Sequence, residues 1–122
     1  MSPLLQVALG GALGAVLRYS TVTQLMRLTG AGFPWGTLAV NLVGCLAMGL
    51  LYGAFGARVP AAPLLMAGIL GGFTTYSAFS LDAWLLFERG AVGAALAYVC
   101  ATAAGTVLIC ALGVLLGRGI AA

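Results

Sequence analysis

Four long stretches of the chain carry no charged residue, and short segments rich in glycine, proline and arginine separate them. The charge-free windows are residues 1–17, 28–57, 59–81 and 90–117. A helix needs roughly 20 mostly apolar residues to cross the hydrocarbon core of a bilayer. Each window can supply them, the first when it is extended past Arg18. The pattern predicts an all-α membrane protein with four transmembrane helices, at about Leu4–Met26, Trp35–Phe55, Leu64–Phe87 and Val92–Leu116.

The composition agrees with this pattern and favours a single membrane domain. Of 122 residues, 63% are hydrophobic and 6% are charged, whereas a soluble domain carries about a quarter charged residues. We therefore expect residues 1–122 to form one transmembrane domain in contact with a lipid bilayer. The first apolar run has no positive segment before it, so we expect a retained span rather than a cleaved signal.

The arginines lie mainly at the predicted span ends, where they act as interfacial anchors and topology signals. No basic run is long enough to suggest a nucleic-acid partner. Arg27 and Arg89 fall on one side of the membrane, and Arg58 and Arg118 fall on the other. This two-against-two tie gives no orientation bias. A chain without a bias should insert both ways up, which indicates an antiparallel homodimer.

Glycine is abundant in the predicted spans, with 19 residues in the chain. Pairs at the GxxxG spacing give flat helix faces that allow close packing, although the spacing does not say which helix is the partner. The pairs are Gly10/Gly14, Gly49/Gly53, Gly68/Gly72 and Gly113/Gly117.

The decapeptide GGFTTYSAFS, residues 71–80, interrupts the third span with polar groups. Each glycine weakens a helix by about 1 kcal/mol relative to alanine, so Gly71-Gly72 predicts a mid-span break. A break frees backbone carbonyls, which at membrane depth need a partner. A cation can be that partner, as in broken transporter helices.

After the predicted break, Tyr76 and Phe79 share one helix face, while Ser77 and Ser80 share another. Aromatic rings have a positive edge, so ring edges could line the route of an anion. The alternative is that the two rings pack as ordinary core residues.

Polar residues also form stripes on two other spans. Asn41 follows Thr37 by one turn on the second span, and Tyr98, Thr102 and Thr106 share a face on the fourth. Such residues either form interhelical hydrogen bonds or line a polar pathway. Arg18 similarly has two interpretations, an interfacial anchor or a fixed charge that draws anions towards a vestibule.

The sequence lacks the parts of a driven transporter or an enzyme. It has no Walker motif, no nucleophile paired with a base, and no histidine. Its three cysteines lie mid-span without metal-ligand spacing and are interpreted as small buried hydrophobes. What remains is a set of hydrogen-bond donors, aromatic edges and free carbonyls, which suits passive movement of a small anion.

Three segments resemble the signature motifs of the CrcB/Fluc fluoride channels: GGALGAVLRY (10–19), GTLAVNLVGC (36–45) and GGFTTYSAFS (71–80). The resemblance covers essentially the whole chain. It implies a dual-topology homodimer in the inner (plasma) membrane whose two antiparallel pores let cytosolic fluoride leave and so reduce its toxicity. It also implies a structural, untransported Na⁺ at the dimer centre, held by backbone carbonyls that match Gly71 and Thr74.

The resemblance also assigns individual residues. Arg18 matches the arginine that closes the first motif, at the vestibule. Tyr76 stands where the family usually has phenylalanine, and Ala78 where it usually has threonine. The matching pore positions are Asn41, Tyr76, Ser77, Phe79 and Ser80, with Tyr98, Thr102 and Thr106 as a looser match to the polar track of the fourth helix.

Two other classes of protein remain open at this point. A small multidrug antiporter shares the four-span, dual-topology plan, but we expect it to carry a carboxylate in its first span, which this chain lacks. A structural subunit of a larger membrane complex needs only the GxxxG faces, and would leave the polar stripes unexplained.

Overall fold

The computed structural model describes residues 1–122 and contains only helices. Helix α1 is Pro3–Thr29 and α2 is Trp35–Phe55. The third span begins as a π-helical segment, Pro63–Leu70, which continues directly into α3, Gly71–Phe73. It resumes after a short interruption as α4, Ser77–Glu88, and α5 is Val92–Ala121.

Three stretches are long and apolar enough to cross a membrane: Trp35–Phe55, Pro63–Glu88 and Val92–Ala121. The protein is therefore an all-helical membrane protein. Helix α1 has sufficient length, with 27 residues, but it is more polar because it contains Gln6, Arg18, Gln24 and Arg27. Its crossing of the bilayer stays a prediction.

The ends of α1 follow from its sequence. Ser2 caps the helix, its hydroxyl accepting a hydrogen bond from the amide of Leu5 at 3.2 Å. Pro3 occupies the first helical position, where a missing N–H costs nothing. Gly30 ends the helix with φ of 81°, a left-handed conformation that favours glycine.

The glycine pairs bring helix backbones together inside the chain, which confirms the predicted tight packing and identifies the partners. A Cβ added at Gly113 or Gly117 of α5 would lie 2.5 Å from the carbonyl oxygen of Leu46 or Leu50 in α2. On the other side, a Cβ at Gly10 would lie 2.5 Å from the carbonyl oxygen of Leu64. Helix α2 thus packs on α5, and α1 packs on the third span.

Aromatic side chains fill the space between α4 and α5. Tyr98 is fully buried, and its ring centroid lies 5.2 Å from that of Phe79 and 5.4 Å from that of Phe33. Leu86 and Ala95 complete this cluster. The cluster fixes α4 against α5 immediately beyond the interruption, so it positions the residues that follow the break.

Candidate functional site: the interrupted third span

The third span is broken mid-way, as the sequence predicts, but the break lies further along than the two glycines. Gly71 and Gly72 remain helical, and the interruption covers residues 74–76. Gly72 serves close packing instead, since a Cβ there would lie 2.7 Å from the carbonyl oxygen of Gly11 in α1. The sequence predicts the break at Gly71-Gly72, and this position is wrong by a few residues. A contact from α2 determines where the break lies.

That contact comes from Asn41. Its side-chain oxygen accepts a hydrogen bond from the amide of Thr75 at 2.7 Å, and its Nδ2 donates to the carbonyl of Thr75 at 3.0 Å. Asn41 thus supplies an acceptor for the amide of Thr75 and a donor for its carbonyl, in place of the backbone partners that a continuous helix would supply. Thr74 is extended, with φ of −89° and ψ of 158°. A nearly buried amide from α2 therefore stabilises the break.

The backbone carbonyls of Gly71 and Thr74 lose their helical partners at the break. The amide that would bond to Gly71 is that of Thr75, which donates to Asn41. The amide that would bond to Thr74 is that of Ala78, which donates to Oγ1 of Thr75 at 3.2 Å. The amide of Thr74 itself donates to Leu70, at 3.1 Å. The carbonyls of Gly71 and Thr74, the predicted cation ligands, thus accept no hydrogen bond, and this donor set suits a hard cation.

Arg18 reaches the same segment from α1. Its Nε donates a hydrogen bond to the carbonyl of Gly72 at 3.0 Å, and the residue is half-buried. The structure therefore joins Arg18 to the break, a contact that neither predicted interpretation of this residue included. Its predicted role as a vestibule charge stays a prediction.

A cavity of about 380 Å³ opens beside the break, between α2, the third span and α5. It brings together most of the residues that the sequence singles out, and no charged side chain lines it. The lining consists of Asn41, Cys45, Gly71, Thr74, Thr75, Tyr76, Phe79, Thr102, Ala103 and Thr106.

The two predicted aromatic residues meet edge to face on the wall of this cavity. The ring centroids of Tyr76 and Phe79 are 5.5 Å apart, and the ring planes are inclined at 82°. Phe79 is buried against Tyr98, whereas Tyr76 is 79% exposed on the surface of the single chain. The ring of Phe79 is thus held by the core. The ring of Tyr76 contacts Phe79 and is otherwise exposed on the single chain.

The two threonines of α5 differ in their hydrogen bonding. Thr106 donates to the carbonyl of Thr102 at 2.6 Å, within the same helix. The hydroxyl oxygen of Thr102 is buried and has no hydrogen-bond partner. Buried hydroxyls are nearly always paired. Thr102 therefore offers an unused donor and acceptor at the cavity wall.

Besides Arg18, three predicted residues lie outside the cavity lining. Ser77 and Ser80 are exposed; Ser80 donates to the carbonyl of Tyr76 at 3.0 Å, and the Ser77 hydroxyl lies 3.4 Å from that of Thr75. Tyr98 lies deeper, where its hydroxyl donates to a carboxylate oxygen of Asp82 at 3.3 Å.

Asp82 and Thr75 are site residues that the sequence prediction missed. Asp82 lies three residues after Phe79 on α4, so the helical period that paired Tyr76 with Phe79 could have found it. It lines a second cavity of about 300 Å³, which is bordered by the 30–36 segment and Arg89. Arg89 donates to the carbonyls of Ala31 and Gly32 and ties that segment to the end of the third span.

These features define a class of protein: a small helical membrane protein with a broken span and an uncharged polar cavity beside the break. Residues 5–114 match the family model described as CrcB-like protein, Camphor Resistance (CrcB). The chain belongs to the CrcB family, which confirms the resemblance found in the three sequence motifs.

Three relatives of similar length carry one name. The chain is 52% identical over 124 residues to the fluoride-specific ion channel FluC of Chelativorans sp. (strain BNC1), covering 98% of this chain and 99% of that protein. It is 55% identical over 107 residues to FluC of Rhodospirillum centenum, covering 84% of each. It is 59% identical over 102 residues to FluC of Cereibacter sphaeroides (strain ATCC 17029), covering 81% of each. All three are named as channels, which confirms that the protein is not an enzyme.

Proposed function

We propose that this protein is a fluoride channel that lets fluoride leave the cytoplasm passively. The observation that carries the proposal is the cavity beside the break. It joins the amide of Asn41, the hydroxyl of Thr102 and the rings of Tyr76 and Phe79 without any charged side chain. The names of the relatives give fluoride as the ion.

The chemistry of the cavity suits a small anion that accepts strong hydrogen bonds. The Nδ2 of Asn41 has two N–H groups and donates one of them to Thr75. The second N–H and the unpaired hydroxyl of Thr102 can replace water around the ion. Positive ring edges add a weak attraction. Donors without a full positive charge let the ion enter and also let it leave.

We further propose that two copies associate in opposite orientations. In the single chain, Gly71, Tyr76, Ser77 and Ser80 are exposed in the middle of an apolar span. The carbonyl of Gly71 accepts no hydrogen bond, and an unpaired backbone group in contact with lipid costs several kcal/mol. A second copy packed across this face would cover these residues. The even distribution of arginines between the two sides supports the antiparallel arrangement.

A structural Na⁺ at the centre of this dimer is part of the proposal. The carbonyls of Gly71 and Thr74 would bind it, and they fit because the amides of Thr75 and Ala78 are directed elsewhere. A cation held there would satisfy the open carbonyls and keep the break in place without being transported. Two copies would double the number of carbonyl ligands.

The proposed place of action is the inner (plasma) membrane, as a multi-pass protein. Hydrogen fluoride is a weak acid that crosses bilayers in its neutral form and ionises inside the cell. A passive route for the anion would therefore lower the internal fluoride load and its toxicity.

The structure weakens the two alternative functions. A structural subunit would rely on its GxxxG faces for partners, but these faces pack α2 on α5 and α1 on the third span within the chain. A multidrug antiporter of this plan is expected to carry a carboxylate in its first span, and α1, Pro3–Thr29, contains none.

Fluoride flux from liposomes that contain only the purified protein tests the function. We expect rapid fluoride release, recorded with a fluoride electrode, when a potassium ionophore balances the charge, and little release of chloride. Flux that needs a proton gradient would favour an antiporter. No flux from folded protein would favour a structural subunit.

Locking the orientation tests the antiparallel pair. Two lysines added to the 56–62 loop, or two added to the 30–34 loop, should each fix one orientation. We expect each locked variant alone to lose most of its flux, and the two expressed together to recover it. Normal flux from one locked variant alone would contradict the antiparallel dimer but leave the channel proposal standing.

A further inference from the structure

The backbone at the break contains two pairs of neighbouring carbonyls, Gly71–Gly72 and Thr74–Thr75, which Phe73 separates. Gly71 and Thr74 have open carbonyls, and the residue after each has a carbonyl that accepts a side-chain hydrogen bond. Gly72 accepts from Nε of Arg18 at 3.0 Å, and Thr75 accepts from Nδ2 of Asn41 at 3.0 Å. Each open carbonyl is thus followed by one that a neighbouring helix holds.

The two caps are built in the same way. In α2, Gly44 leaves room for the side chain of Thr74, and Asn41 lies one turn before it. In α1, a Cβ added at Gly14 would lie 2.9 Å from the amide nitrogen of Phe73, and Arg18 lies one turn after Gly14. In each helix a glycine allows close approach and a longer side chain supplies the donor.

We propose that Arg18 is a positioning residue for the cation site: it orients the backbone of Gly71 and Gly72 so that the Gly71 carbonyl stays open to the ion. This inference rests on the proposed Na⁺ site. The carbonyls of Gly71 and Gly72 lie in successive peptide planes that meet at the Cα of Gly72, so holding the Gly72 carbonyl fixes one of the two planes and leaves fewer orientations for the other. Without the cap, the Gly72 carbonyl would compete for the ion or for the amides of the break.

The charge of Arg18 is not what the site uses. A guanidinium next to a cation site repels the ion, so charge alone would predict tighter Na⁺ binding when Arg18 is neutralised. Positioning predicts the opposite result when the donor is lost. The two effects therefore differ in sign, and a suitable pair of variants separates them.

Arg18→Gln and Arg18→Met form that pair. The amide nitrogen of glutamine is bonded to Cδ, as Nε of arginine is, so Arg18→Gln keeps a donor at the same distance along the chain. Arg18→Met has nearly the same length and shape but no donor. Both lack the charge, so they differ mainly in the hydrogen bond to Gly72. Gln24→Met, at an exposed position of the same helix, serves as the control because it leaves the balance of arginines unchanged.

The readout is the Na⁺ concentration that gives half of the rise in melting temperature, measured on the purified full chain equilibrated with a large organic cation. We expect the Na⁺ midpoints of Arg18→Gln and Gln24→Met to match the wild-type midpoint or to fall below it. We expect Arg18→Met to need up to about tenfold more Na⁺, the scale of one hydrogen bond.

Each outcome decides a separate claim. No Na⁺ response in the wild type would remove the cation site and this inference with it, while fluoride flux would still test the channel. A wild-type response with equal midpoints for the two Arg18 variants would overturn the positioning role and keep the site. If Arg18→Met does not fold, Arg18→Gln decides alone, since a tenfold weaker response there would overturn the role.

Discussion

Glycine brings backbones together at two places in this protein, the α2–α5 interface and the broken third span. At the α2–α5 interface, Gly113 and Gly117 lie against helical backbone, and both helices are continuous. At the break, Gly14 lies against the still-helical backbone of Ile69 and Phe73, and Gly44 leaves room for the side chain of Thr74, where the interruption begins. The first region is closed and apolar, and the second holds open carbonyls and donors.

The difference between the two regions lies in the residue one turn from each glycine. Next to Gly44 and Gly14 stand Asn41 and Arg18, which hydrogen-bond to the backbone of the break. Next to Gly113 stand apolar residues such as Ile109, which leave the helical hydrogen bonds of α2 intact. A glycine contact with apolar neighbours therefore only packs two helices together. A glycine contact with a hydrogen-bond donor one turn away also holds the backbone of the break, and so forms the candidate site.

The largest effect on function is expected from Asn41→Asp, which should abolish fluoride flux. The aspartate keeps the size of the side chain but replaces both N–H groups with oxygen. It cannot donate to the carbonyl of Thr75, and its charge repels an anion in the cavity. Flux is measured in liposomes, with chromatography and circular dichroism to check that the protein is folded.

Asn41→Leu serves as the control for charge in this experiment. It removes the hydrogen bonds to Thr75 without adding a charge, so we expect it to lose flux as well. Wild-type flux from Asn41→Leu would mean that the break does not need this cap. Wild-type flux from Asn41→Asp would make Asn41 an ordinary packing residue.

The second-largest effect is expected at the α2–α5 interface, where a substitution should lower stability without lowering fluoride flux. Gly113→Ala places a methyl group about 2.5 Å from the carbonyl oxygen of Leu46, so the helices must move apart. Overpacking of this kind costs about 1–3 kcal/mol. We expect a lower melting temperature and a smaller yield, but normal flux per folded molecule.

Gly93→Ala is the matched control, because it lies in the same helix and a Cβ there meets nothing within 4 Å. We expect it to leave the melting temperature unchanged or raise it slightly, since alanine favours helix. Equal melting temperatures for the two variants would contradict the importance of the close contact.

The contrast between the two regions also shows what the sequence can predict. Hydrophobic windows predict the helices closely, and the GxxxG spacing predicts the close contacts. Helical periodicity and the family motifs select Asn41, Phe79, Thr102 and Thr106, which meet at one cavity. These signals are local or repeat along one helix, so they can be recognised without the fold.

Features that depend on distant contacts could not be predicted in this way. The break falls at 74–76 rather than at the glycines because Asn41, 34 positions away, captures the backbone of Thr75. The pairing of Tyr98 with Asp82 likewise joins two helices. The π-helical form of Pro63–Leu70 has no recognised signal in its sequence. At the break, a tertiary contact thus overrides local propensity.

A smaller loss of flux is expected when the aromatic rings at the cavity are removed one at a time. Phe79→Ile and Tyr76→Ile each keep an apolar side chain but remove a positive ring edge. We expect both to impair fluoride flux, Phe79→Ile with some loss of stability because this ring packs on Tyr98. Normal flux in both variants would return the rings to ordinary packing.

The smallest effect is expected from Tyr76→Phe, which removes only the hydroxyl group. The ring of Tyr76 meets Phe79 edge to face, and its hydroxyl donates no hydrogen bond within the chain. If the ring edge attracts the ion, the phenylalanine variant should release fluoride at close to the wild-type rate in the liposome assay. If the hydroxyl itself donates to the ion, this variant alone should be slow while Tyr98→Phe reports the separate bond to Asp82. A large loss in Tyr76→Phe would therefore replace the ring-edge account with a hydroxyl donor.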